Sequence, residues 1–386
     1  MRRAATASAG AAVAATERPG PRAGTLLAAA LALPGIVATT AEAQTMPDAG
    51  FVQFKYLDYR DWQTGARRMR VSNPGIYAMS PFADSWVVEG ALVYDGMSGA
   101  SPTWHDTLSG ASGEGVHDYR TAGDVKVTKY FERFSVGAGG AYSHENDYIS
   151  RGGSLDVRVW TADKNRTFTF SYAGAADRIN TVDGAADHER KYVNDFLFGI
   201  TQVLSQTAIV QSNVTYTRAQ GYLDDPYKPA DTRPDTRRVL AWLTRLNQYF
   251  PDSDGTLQLA YRYIDDSWGA NSNMVEAAWV QPLPYAFSVR PNLRYYTQSA
   301  AYFYYDPPFP QGFVLGQPYT ADTRLSAFGA FTLGVLVAKD FGDGWSGDLK
   351  VEFYRQKSSW RAGGGGSPDI LPFSARWIQV GVGKSF

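Results

Sequence analysis

The chain carries 386 residues with 37 basic and 38 acidic side chains, 20 Phe, 24 Tyr, 10 Trp, 38 Gly and no Cys. A charge balance this close to neutral excludes a nucleic-acid-binding surface, which needs a basic excess. The absence of Cys excludes disulfides, thiolate metal sites, Cys nucleophiles and covalently attached c-type haem.

Near the start, Arg2, Arg3, Arg18 and Arg22 precede an apolar run from Thr25 to Ala38, followed by Ala41-Glu42-Ala43. A basic region, an apolar core and an A-x-A site predict a Sec-type signal peptide over residues 1–43, cleaved after Ala43. Residues 44–50 read as a short periplasmic lead-in, and 51–386 as one domain. No later stretch approaches the ~20 consecutive apolar residues of a membrane-spanning helix, so a membrane-embedded form must be a closed barrel.

From Phe51 onward the apolar residues recur with period two. Strands are predicted near 52–60, 68–78, 85–97, 118–131, 133–146, 150–161, 166–176, 190–204, 208–221, 236–250, 255–268, 271–283, 286–300, 324–340, 345–359 and 372–386. Leu155, Val157 and Val159 oppose Asp156, Arg158 and Trp160; Leu349, Val351 and Phe353 oppose Asp348, Lys350 and Glu352. Alternation fits a soluble sandwich as well as a barrel. The connections discriminate. Tight links at 131–134, 161–166, 204–209, 250–255, 281–287 and 341–345 alternate with long ones at 98–117, 177–190, 222–236, 301–323 and 357–371. Short turns on one rim and long loops on the other predict an all-β, antiparallel up-and-down transmembrane barrel of about 16 strands, between roughly 14 and 18. Aromatics add two girdles: Trp86, Tyr130, Phe131, Phe134, Phe341 and Trp345 near the short turns, and Trp268, Tyr295, Tyr296, Tyr302 and Trp360 near the long loops.

The last stretch, PFSARWIQVGVGKSF (372–386), places Ile378, Val380, Val382 and Phe386 on one face. A terminal strand ending on an aromatic residue is expected to serve as the assembly signal of an outer-membrane barrel and to pair with the first strand, so that no edge is left in lipid. Lys384 interrupts the apolar face, as a side chain able to snorkel to the interface.

Six segments, SGASPTWHDTLSGASGEGVHDYR (98–120), AGDVKVTKYFERFSVGAGGAYSHENDYISR (122–151), LDDPYKPADTRPDTR (223–237), WVQPL (279–283), RPNLRYYTQSAAYFYYDP (290–307) and DLKVEFYRQKSSWRAGGGGSP (348–368), resemble the bacterial domain-of-unknown-function family 3570. The resemblance extends from about Phe51 to Phe386. It implies a Gram-negative outer-membrane barrel of unassigned activity and brings no catalytic residues. Lys384 departs from the aromatic or apolar residue expected two before the end.

Candidate chemistry is sparse. His105, His117, His144 and His188 all fall in predicted outer connections beside acidic residues, so a divalent-ion site would need them to converge. Lys126, Asp156, Arg158, Arg262, Asp266, Arg290, Arg294, Asp348, Lys350, Glu352 and Arg376 are expected to line the lumen, bracing it or filtering solutes with little preference for either sign. The segment 301–312, AYFYYDPPFPQG, is expected to fold inward as a constriction or to cap the barrel. No Walker, dinucleotide, H-E-x-x-H or hydrolase-elbow context accompanies these residues. The sequence therefore predicts a porin-like channel or a scaffold for periplasmic or surface partners, without cofactor or catalytic role. The alternatives are an outer-membrane enzyme with a rim site near His144, or a barrel sheathing a redox or metal-handling partner. Outer-membrane lipid, lipopolysaccharide and the barrel assembly machinery are the expected partners, with both mature termini periplasmic and the oligomeric state open.

Overall fold

The computed structural model describes residues 46–64, 66–99, 116–181, 184–226, 228, 231–306, 314 and 316–386. The predicted signal peptide and His105 lie outside them. Sixteen strands run in chain order: β1 (Phe51–Gln63), β2 (Ala66–Phe82), β3 (Trp86–Gly99), β4 (Val116–Tyr130), β5 (Phe134–His144), β6 (Tyr148–Trp160), β7 (Arg166–Ile179), β8 (Glu189–Val203), β9 (Ala208–Gly221), β10 (Thr236–Phe250), β11 (Gly255–Asp266), β12 (Ser272–Leu283), β13 (Phe287–Gln298), β14 (Phe328–Gly342), β15 (Trp345–Lys357) and β16 (Phe373–Ser385). Each pairs antiparallel with its sequence neighbours, and β1 pairs with β16 to close the barrel. The seam is continuous from Phe51 opposite Ser385 to Gln63 opposite Phe373, and is extended by Phe386 and Gly50, which exchange backbone bonds of 3.0 and 2.9 Å.

The predicted two-beat connection pattern holds. One rim carries the turns 83–85, 131–133, 161–165, 204–207, 251–254, 284–286 and 343–344, together with the chain ends of the barrel. The other carries L1 (64–65), L2 (100–115), L3 (145–147), L4 (180–188), L5 (222–235), L6 (267–271), L7 (299–327) and L8 (358–372). L1, L3 and L6 are as short as the turns opposite. A two-residue hairpin needs only Gly or a turn former between period-two runs, so the long-loop rim is lower on those sides.

Period two sends alternate side chains to opposite faces. The outer face is an apolar band exemplified by Phe54, Leu92, Phe170, Trp242, Leu333 and Val380, all more than a third exposed. A soluble barrel would hide such a band, whereas one in lipid requires it. Three lysines mark its lower edge at the short-turn rim. Lys129 lies over Trp86 and Phe131 (5.0 and 5.1 Å), Lys339 over Phe287 (4.3 Å), and Lys384 over Trp345 (5.2 Å). Lys384 thus belongs to a set: each ammonium reaches the interface along an aromatic ring, which is snorkelling combined with cation–π attraction. Trp268 and Tyr296 depart from the girdle expectation. Both are buried inside the long-loop mouth, at 3% and 8% exposure.

Because Lys384 sits at interface depth, Lys384→Tyr should change the unfolding free energy in lipid vesicles by no more than about 1 kcal/mol. Removing Phe386, which deletes two backbone bonds at the seam, should instead reduce the yield of heat-modifiable barrel. Urea titration and gel mobility of unheated samples read the two effects.

Candidate functional site in the barrel lumen

Ten of the eleven predicted lumenal charges share the inward parity of their strands: Lys126, Asp156, Arg158, Arg262, Asp266, Arg290, Arg294, Asp348, Lys350 and Glu352. Arg376 does not. It shares parity with Ile378, Val380 and Val382 and stands opposite Arg60 on β1 and the exposed Phe353 on β15, so it faces outward. Charge suggested the lumen for this residue, but strand periodicity decides its face.

The inward charges pair along the wall. Lys126 Nζ is 2.6 Å from Asp156 and 3.6 Å from Glu89; Lys55 is 3.4 Å from Asp348; Lys350 is 2.7 Å from Glu352; Glu276 receives Arg290 at 3.3 Å and Arg294 at 2.7 Å. Each of these pairs lies within one strand or joins neighbouring or next-but-one strands. Glu352, fully buried, is a hub, also accepting from Asn292 Nδ2 (3.1 Å) and Trp377 Nε1 (2.5 Å). Two of the contacts that skip a strand pass over glycine. Asn292 on β13 reaches Glu352 on β15 across Gly334, which stands opposite both. A Cβ at Gly334 would lie 2.6 Å from Asn292 Oδ1 and 2.5 Å from Glu352 Cγ. The Lys55 to Asp348 pair crosses Gly381 in the same way. These glycines keep the bridged side chains flat against the wall.

Toward the long-loop rim the lining changes character. Tyr59, Met274, Tyr296, Tyr354 and Trp377 project inward and pack with Phe303 and Leu325 of L7, Trp268 of L6 and Ile370 of L8. Phe303 is 1% exposed and meets Trp268 edge-on at 5.2 Å. The described part of L7 therefore folds inward, one of the two outcomes expected of the AYFYYDPPFPQG segment; residues 307–313 and 315 of L7 lie outside the described ones. Asp266 belongs to this zone, accepting from Arg237 Nε (2.9 Å) and from the backbone of Trp268 (2.9 Å).

L7 is held by L5. Thr232 and Tyr319 exchange backbone bonds of 2.9 and 2.8 Å. Around them, three carboxylates meet three cations. Asp322 is 3.0 Å from Arg233 and 3.3 Å from Lys228 and also takes Arg324; Asp225 receives Arg324 at 2.7 Å; Asp231 receives Arg233 at 2.6 Å and the Thr320 hydroxyl at 2.5 Å. Burial pushes the Asp322 carboxyl up, but Arg324, Lys228 and Arg233 outweigh it and hold the group well below the usual carboxylate range. Asp225, Lys228, Asp231 and Arg233 all come from the segment 223–237. Their partners in L7 lie between 89 and 99 residues away, a distance that no local pattern signals.

The histidines are scattered. His144 ends β5 on its outward face, and His188 pairs with Asp187 at 2.5 Å in exposed L4; only the backbone of His117, near the start of β4, is described. Among the described residues, no three His, Asp or Glu gather as metal ligands.

Three solved structures are among those similar to this chain. OccD3 (OpdP) of Pseudomonas aeruginosa is 10% identical, with 90% of this chain and 98% of that one covered at a TM-score of 0.46. The monoaromatic hydrocarbon channel CymD is 9% identical, covering 90% and 91% at 0.47. The siderophore receptor PirA of P. aeruginosa is 10% identical, covering 86% of this chain at 0.43, and this chain spans only 61% of that receptor. No curated protein matches the chain in sequence. The fold is a closed, antiparallel, sixteen-strand barrel. A family model matches residues 23–113 and 106–377, and the chain belongs to that family, the proteins of unknown function DUF3570.

Proposed function

We propose that this protein is a Sec-exported outer-membrane channel with both barrel ends of the chain in the periplasm, whose L7 narrows the extracellular mouth. The observation that carries this reading is the direction of the lumenal bonds. In sixteen strands the interior is wide enough for water, and the charges brace the wall strand to strand instead of knitting opposite walls together. Polar side chains held flat in this way leave the axis to solvent while keeping each buried charge paired. A solute entering from outside first passes L7 and the aromatic cluster that seats it, then a belt of both signs. Paired charges of both signs along the wall give little preference for cations or anions.

Single-channel recording of refolded protein in planar bilayers tests this. Stable open current with weak ion selectivity is expected, and Arg290→Gln with Arg294→Gln should shift selectivity toward cations by leaving Glu276 uncompensated. A silent barrel, or selectivity unmoved by that pair, contradicts the channel reading.

The link between L5 and L7 gives a second outcome. Because the Asp322 carboxyl is depressed in the folded chain, its stabilising contribution is complete above the ordinary carboxylate range, about pH 4, and is lost only as pH falls through the lower folded value. Open-channel current noise should therefore be flat from about pH 5 to 8. Asp322→Asn leaves buried cations uncompensated, at a local cost of about 3–5 kcal/mol. That variant should show larger, noisier conductance and faster proteolysis within L7 at neutral pH, with the barrel still heat-modifiable.

A further inference from the structure

The outer face has an asymmetry that the channel does not use. At the short-turn rim its cations include Arg166 and the three lysines Lys129, Lys339 and Lys384, each lysine laid over an aromatic ring. At the long-loop rim they are mostly arginines, beside Lys357, which lies over Trp360, and they are densest across the seam strands. Arg70, Arg60 and Arg376 occupy one register row, with Arg60 directly opposite both others on β2 and β16. One row further toward the loops stand Arg67 on β2 and Arg355 on β15, with Trp62 and Ser374 between them. Directly opposed like charges in a sheet repel. Only one carboxylate answers them: Asp58, which takes Arg60 at 2.9 Å and Arg70 at 3.2 Å. Among the described residues no carboxylate pairs with Arg67, Arg355 or Arg376. The Arg60 and Arg70 side chains are 43% and 55% exposed, so their remaining N–H groups point to the surroundings of the barrel.

Depth fixes what those surroundings are. From Lys384 to Arg376 the outward side chains of β16 are Val382, Val380 and Ile378. Eight residues at ~3.4 Å, tilted ~40°, span roughly 21 Å of membrane height, close to the apolar band of ~25 Å. The arginine row therefore sits where hydrocarbon gives way to headgroups, with Phe353 level with it opposite Arg376 and Trp62 one row above. Guanidinium forks match phosphate oxygens two at a time, whereas an ammonium offers only a point charge. Five guanidinium groups against the single carboxylate found among the described residues present forks that match phosphate oxygens in the adjoining leaflet.

We infer that the outward patch Arg60, Arg67, Arg70, Arg355 and Arg376 at the β1–β16 seam is a binding site for the phosphorylated headgroup of an outer-leaflet glycolipid, the lipid A portion of lipopolysaccharide. The site relies on the long-loop rim being extracellular, but not on the lumen conducting. Its occupant supplies the counter-charge that the row lacks and clamps the seam where the last strand meets the first. Arg178 opposite Arg190 and Arg218 opposite Arg238 repeat the opposed pairing farther round the same rim.

Native mass spectrometry of the full refolded barrel titrated with bis-phosphorylated lipid A tests the site, with dephosphorylated lipid A, phosphatidylglycerol and inorganic phosphate as comparisons. Retention of bis-phosphorylated lipid A is expected, falling at least about tenfold in Arg60→Gln/Arg70→Gln/Arg376→Gln, and partly restored by Lys at the same three positions. Gel mobility and single-channel current of the Gln variant should match the parent, which separates loss of the site from loss of the fold or of conduction. The inference is overturned if the Gln variant retains lipid A like the parent. It is also overturned if dephosphorylated lipid A or phosphatidylglycerol binds equally well, or if inorganic phosphate at millimolar level displaces the lipid.

Discussion

Everything in this molecule follows from one constraint: backbone N–H and C=O groups cannot be left unpaired in hydrocarbon. A sheet satisfies it only by closing, so β16 must meet β1 in full register, and the Phe51 to Ser385 seam does so. Closure then divides the side chains into two populations that cannot mix. Outward residues answer to lipid depth, inward residues to water and to one another. The same alternation that makes the barrel therefore writes its function on two surfaces, one facing the lumen and one facing the leaflets.

The lumen shows how a wide barrel tolerates dense charge. An unpaired charge against a low-dielectric wall is costly, and a pair spanning the axis would block it. Glycine at Gly334 and Gly381 resolves the conflict by letting a carboxylate on one strand reach its partner two strands away without rising into the channel. Glu352 joins this lower belt to the aromatic mouth through Trp377. The mouth in turn is lined by L7, which the ion cluster ties to L5, so its arrangement is held by charges outside the membrane-spanning strands.

Much of this was legible in the sequence, because barrel architecture is periodic. Sixteen strands, the alternating short and long connections and the pairing of first with last follow from counting apolar residues at period two, and the inward fold of L7 from its Tyr, Phe and Pro content. Arg376 was misread by chemical type where its parity with Ile378 already gave its face. Lys384 looked like a defect in one strand, and only the neighbouring strands reveal it as one of three ring-stacked lysines. The L5 to L7 cluster was not legible. Asp225 and Arg324 are 99 residues apart, and loops carry no periodicity from which to infer such a meeting. Trp268 and Tyr296 were assigned to a girdle by their nearness to loops, a cue that cannot separate the inner side of a rim from the outer.

The central claim is that water fills the lumen from one rim to the other, and the absence of Cys allows it to be tested one position at a time. Single-channel current through Gln211→Cys, an inward position of β9, should fall in a discrete step when a charged, membrane-impermeant thiol reagent is added. Current through Val380→Cys, which faces lipid on β16, should not change. Current that ignores the reagent at position 211, or that falls only at position 380, would contradict the account.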